Sequence, residues 1–283
     1  MRIAALAGPI VSLLLSSNGA AAPILVNEFN AVSAANYLNG GTAAADANGQ
    51  PTADTSLGRV QGNGGDWLEL VVIQDHLDLR GGSLSIGEGI GAARTTTVLT
   101  FTQDALWGDL RSGTIVTVAE DVLSDPSYNP ASGDWWINVQ ASDTASGLFI
   151  TASNFSVSND NTQITVLDAL SQIWFGPAGE GVQPASGVGS VEVWKLEADP
   201  SAAITPTSTY NDGSSSSFGA PNRWSGGANM QDFSALRAVV PEPGSTTLFG
   251  VALAAAAFAL ARGRPRAGSR YLPSSTRSLS RCR

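Results

Sequence analysis

Between residues 23 and 200, polar and apolar positions change over short runs, and helical periodicity is nearly absent. Runs of this kind, bounded by Gly, Asn, Asp, Ser or Pro clusters, read as β-strands. They fall at 24–30, 67–73, 83–86, 97–102, 114–120, 135–140, 148–151, 163–167, 173–175 and 191–196. The pattern predicts an all-β fold, an antiparallel β-sandwich or barrel over 22–198. Two stretches break it. Residues 31–65 are rich in Ala, Gly, Asn and Asp and read as a long loop with room for a short helix around 32–38. Residues 199–239 are poor in large apolar groups and read as a flexible linker, with Phe218 and Trp224 as local docking points.

The two ends follow a different logic. Arg2 precedes an apolar run over 3–15, and a small, polar exit follows at 16–22. That order predicts a secretory signal peptide over 1–21, cut between Ala21 and Ala22. Near the other end, 244–261 carries no charge. As a helix it would extend roughly 27 Å, near the thickness of a hydrocarbon core. Arg262, Arg264 and Arg266 follow at once as a stop-transfer group that stays on the cytoplasmic side, with a basic tail over 267–283. Signal and transmembrane helices are thus expected to flank the sandwich.

Charge partition fits this layout. The 283 residues carry 15 Lys+Arg against 24 Asp+Glu, a net charge of −9. Seven of the arginines lie after the expected span, whereas residues 22–239 hold seven basic and 23 acidic residues, a net −16. Such a surface disfavours a grip on phosphate backbones, so nucleic acid is not an expected partner. The single cysteine, Cys282, and single histidine, His76, leave no disulfide framework, cysteine zinc site or multi-histidine metal site.

Val240-Pro241-Glu242-Pro243, then the apolar span, then C-terminal arginines, resembles the PEP-CTERM sorting signal, here 240–266. The resemblance implies recognition and cleavage near this box by an exosortase-type membrane protease, in a bacterium with an outer membrane that makes exopolysaccharide. Two prolines keep the backbone extended there, which suits a protease. The middle of the chain carries a second resemblance. It opens on Ile24-Leu25-Val26-Asn27-Glu28-Phe29. Gly65-Asp66-Trp67-Leu68-Glu69-Leu70, Leu77–Leu84, Leu110–Val116 and Ile164–Asp168 follow, and Gly219-Ala220-Pro221-Asn222 comes near the end. This order looks like the lamin-tail domain, which implies an immunoglobulin-like sandwich. The family's usual tryptophan is replaced by Gly82, and loop 31–65 is longer than the family's.

Candidate chemistry is sparse. Glu28 and Glu69 sit inside apolar strand runs and could form an acid/base or cation-binding pair, but carboxylates that pin loops are the stronger expectation. His76 lies in a turn, with Asp75 and Asp78 near it in sequence and no Gly-x-Ser-x-Gly frame in the chain. Oxygen-rich loops make Asp46, Asn48 and Asp160 weak calcium candidates, and no other cofactor is expected. In 135–140, alternation puts Trp136, Asn138 and Gln140 on one face, an aromatic beside two amides that suits sugar stacking. The expectation is an exported, surface-destined, non-enzymatic sandwich, a structural or adhesive part of extracellular matrix. It would use the export translocon and sit briefly in the inner membrane before processing. A carbohydrate-binding module and an exported, nuclease-like hydrolase are the alternatives.

Overall fold

The computed structural model describes residues 21–49 and 57–238. Most of the signal peptide, the Pro-Glu-Pro box, the expected span and the basic tail lie outside them. No described helix is long and apolar enough to cross a membrane.

The described residues fold as an all-β unit. Twelve strands follow in chain order: β1 (Ile24–Asn30), β2 (Trp67–Val72), β3 (Ser83–Glu88), β4 (Thr95–Thr100), β5 (Ile115–Ala119), β6 (Trp136–Gln140), β7 (Gln163–Leu167), β8 (Ile173–Gly179), β9 (Val193–Leu196), β10 (Tyr210–Gly213), β11 (Arg223–Trp224) and β12 (Asn229–Met230). The four-residue helix α1 (Ser234–Arg237) ends the described fold. One sheet has the order β10-β9-β1-β2-β5-β6, a second β4-β3-β7-β8, and β11 pairs with β12 alone. Pairing is antiparallel throughout, except that β5 and β6 run parallel.

The two larger sheets form a sandwich around one apolar core. Phe29, Leu68, Leu70, Val116, Ile137, Val139 and Trp194 enter it from the six-stranded sheet. Leu84, Ile86, Leu99, Ile164, Val166 and Phe175 enter it from the other. On β3 and β7 apolar positions alternate with half-buried polar ones, because one face alone is covered. Strands β1 and β2 are buried at every position. Their outer face is covered too, and a second apolar cluster sits there: Val32, Leu38, Trp67, Ala119, Val193 and Phe218.

That cover corrects the expectation of a flexible linker over 199–239. Tyr210, Ser216, Ser217, Phe218, Asn222, Gln231 and Phe233 are buried. The Tyr210 hydroxyl donates to Val26 O at 2.7 Å, and its ring stacks on Trp194 at 4.1 Å. The compact unit continues through Arg237, whose guanidinium donates to Gly113 O and lies 5.0 Å from the Trp135 ring. Two further expectations change. Residues 148–151 form no strand, but Ile150 bridges Phe101. Residues 32–38 form turns rather than a helix, with Leu38 as their buried anchor. The described part of the long loop is fastened by Arg59, whose guanidinium donates to Leu38 O, Gly40 O, Thr42 O and Ala45 O.

Candidate functional site

The outer face of the six-stranded sheet carries a row of polar side chains in register. Lys195 on β9 pairs with Glu28 on β1, and Glu28 pairs with Glu69 on β2. Glu69 pairs with Thr117 on β5, and Thr117 with Asn138 on β6. All five are buried. A register shift between Val26 and Glu28 leaves Asn27 as an extra residue, a bulge that joins the row. Residues 214–231 close over its Lys195–Glu28–Glu69 end and supply hydrogen bonds that burial demands there, while Asn138 bonds Val122 O and Leu123 O.

Each acid holds this closing segment through a backbone amide. Ser217 N donates to both Glu28 carboxylate oxygens at 3.2 Å, and Gly219 N donates to Glu69 Oε2 at 2.9 Å. Asn27 Nδ2 donates to Glu69 Oε1 at 2.7 Å. Asn222 Nδ2 reaches Asn27 O and Leu196 O, both at 3.1 Å, and Gln231 Nε2 donates to Asn27 Oδ1 at 2.9 Å. Lys195 Nζ donates to Ser215 O at 2.7 Å and Arg223 O at 2.6 Å, clamping the two ends of the turn. Phe218 meets Trp67 and Trp136 edge-on at 5.1 and 5.9 Å. Glycine is required at 219, where φ is +74° and a Cβ would lie 2.6 Å from Trp136 Cε2.

Burial sets the electrostatics. Removal from water raises the Glu28 carboxyl to about 7, with Lys195 and the Ser217 amide opposing. The Glu69 carboxyl is pushed well above the carboxylate range, first by burial and then by neighbouring Glu28. Burial lowers the Lys195 ammonium below its ordinary value, against the pull of Glu28 and Glu197. Burial thus favours the protonated form of both acids. They face backbone amides and an asparagine rather than an open cleft.

The other sequence candidates are placed as follows. Trp136, Asn138 and Gln140 do share one face, as alternation requires, but that face is covered. Trp136 Nε1 donates to Thr117 Oγ1 at 3.1 Å, Asn138 Nδ2 to Leu123 O at 2.8 Å and Gln140 Nε2 to Glu120 O at 2.8 Å. The open sugar platform of the alternative, carbohydrate-binding reading is thus not formed on this face. His76 is exposed at φ 57°, and its ring nitrogens meet Asp109 Oδ1 at 2.6 Å and Asp75 Oδ2 at 3.5 Å, not a hydroxyl. Asp46 Oδ2 accepts from Asn39 Nδ2 and its Oδ1 from Asn48 N, both at 2.9 Å, closing a local turn. Asp160 is exposed, and its backbone carbonyl accepts from Gly89 N at 2.7 Å. Among the described residues, no three or more His, Cys, Asp or Glu side chains gather to hold a metal ion.

Beside the row, sequence reasoning missed a cleft of about 800 Å³. Lys195, Glu197 and Trp224 line it, with Asn39 and Asp46 from the Arg59-fastened loop. Gly213 leaves space for the lysine stem, since a Cβ there would come within 2.6 Å of Lys195 Cε. The only signal in the sequence was Trp224 in a stretch otherwise dominated by Gly, Ser and Asn. Compared with models of protein families, with curated proteins and with solved structures, the chain matches none.

Proposed function

We propose that this chain is an exported, surface-destined protein whose working body is a non-enzymatic, immunoglobulin-like β-sandwich similar to the lamin-tail domain. Its two extremities serve delivery. The signal peptide directs it to the export translocon, and the segment from Val240 onward holds it in the inner membrane until an exosortase-type protease cuts near Pro241-Glu242-Pro243. The released body then acts as a structural or adhesive component of extracellular matrix, in contact with exopolysaccharide.

The observation that carries the non-enzymatic reading is the use made of Glu28 and Glu69. They are the strongest catalytic candidates in the sequence, and both hold the closing segment through Ser217 N and Gly219 N. A general acid or base must reach a substrate proton, and these oxygens face the interior of the fold. The resemblance of 240–266 to a sorting signal supports the delivery half, together with the contrast between the acidic middle and the basic tail.

Mass measurement of the chain after expression in an outer-membrane-bearing bacterium, with and without an exosortase, tests this reading. A product beginning at Ala22 and ending near the Pro-Glu-Pro box, released only with the protease, is expected. An uncut C-terminus resident in the inner membrane in both strains would overturn it.

A further inference from the structure

We propose that the cleft beside Lys195 binds an uncharged polysaccharide, with Trp224 as the stacking surface and Glu197 as an acceptor for sugar hydroxyls. This goes beyond the delivery and scaffold reading above and does not depend on it. It moves the sugar-binding face away from Trp136, which the fold uses internally.

The seven tryptophans single out one. Trp67, Trp107 and Trp194 are buried in the two apolar clusters. Trp136 and Trp174 pack against those clusters, and Trp135 lies under the Arg237 guanidinium. Trp224 is half-buried and belongs to neither cluster. Among the described residues, no hydrogen bond engages its indole N–H and no ring stacks on it, yet it lines a cleft. Its backbone is fixed all the same. Trp224 pairs with Asn229 across the β11–β12 ribbon, and the preceding carbonyl accepts from Lys195 Nζ at 2.6 Å. A fixed, half-buried indole that lines a cleft brings an apolar plane and a polar edge together, which is what a pyranose ring offers in return.

The rest of the lining sets the ligand class. Glu197 supplies an acceptor, Arg223 and Asn39 supply donors, and Ser214, Ser215 and Ser216 complete the lining. Mixed donors and acceptors around one aromatic suit a polyhydroxylated, uncharged ligand. The volume lies within the ordinary range for small-ligand sites, which leaves room for a short stretch of a glycan chain. With a net −16 over 22–239, a uronic-acid or sulfated polymer would be repelled.

Affinity electrophoresis of the full chain in mild detergent tests this, through gels holding dextran, laminarin, galactomannan or xylan, with alginate as the polyanion. Retardation by at least one neutral polymer is expected, with none by alginate. Trp224→Ala should weaken it about tenfold or more, Trp224→Phe should keep most of it, and Glu197→Gln should weaken it severalfold. Unchanged melting temperatures would show that these variants fold, and Glu197→Gln serves if Trp224→Ala does not. Three outcomes would each overturn the proposal: no retardation by any neutral polymer, equal retardation of wild type and both the Trp224→Ala and Glu197→Gln variants, or preference for alginate. Since the chain is tested after purification, its failure is distinct from a failure of tail processing.

Discussion

Replacing Glu28 by glutamine keeps the shape of the row and removes an ionisable group. In the folded protein burial raises this carboxyl from 4.5 to about 7. The native state therefore holds a proton that the unfolded chain has already released. Its stabilising share is complete below pH 4.5 and is lost as pH climbs through about 7. At roughly 1.4 kcal/mol per pH unit, that window amounts to about 3 kcal/mol. Glutamine has no such loss. Relative to wild type, Glu28→Gln should thus gain about 3 kcal/mol between pH 4.5 and pH 8, whatever constant offset the altered Ser217 contact adds. Guanidinium unfolding read by tryptophan fluorescence at four pH values gives both curves. High salt in every sample screens general repulsion on the acidic surface but not a buried group. A wild-type-to-variant difference that stays flat with pH would refute the reasoning. So would a difference that moves the other way, since that would mean the ionised Glu28–Lys195 pair outweighs burial.

Other substitutions probe the same construction. Gly219→Ala, with φ at +74° and a Cβ against the Trp136 ring, should cost about 2–4 kcal/mol and shift tryptophan emission. Phe218→Ala removes the plug between Trp67 and Trp136 and should cost about 3–5 kcal/mol in denaturant unfolding. Tyr210→Phe leaves Val26 O without its phenol donor and should cost about 1–2 kcal/mol by the same assay. Glu180 is buried, and burial raises its carboxyl to about 7. Glu180→Gln should therefore melt at a higher temperature than wild type at pH 8, with the advantage shrinking toward pH 5.

The strands of the sandwich were legible wherever one face is apolar. Period-two alternation in β3, β6 and β7 announces itself, and the shared face of Trp136, Asn138 and Gln140 followed correctly from it. What alternation cannot report is what covers a face. Residues 199–238 contain few large apolar groups, so a reading built on hydrophobic runs sees a linker. They are ordered instead by Asn222, Gln231 and the Ser217 and Gly219 amides bonding to buried polar partners. Those partners are scattered from Asn27 to Leu196, too far apart in sequence for any local pattern. Phe218 and Trp224 were the visible signals, each an aromatic in a stretch dominated by small polar residues. Glu28 and Glu69 were readable as carboxylates needed inside apolar strands, and the structural role expected for them agrees with their contacts. The Arg59 clamp on the long loop was not readable, because it acts almost wholly on backbone carbonyls.

Amide hydrogen exchange at Ser217 and Gly219 in the full chain asks most directly whether the acid pair is sealed for structure. Both amides should exchange as slowly as those of β1 and β2, and should lose protection together in Glu28→Gln/Glu69→Gln. Fast exchange at both positions, beneath a sheet that stays protected, would leave the two carboxyls open to solvent. It would then return them to candidacy for chemistry.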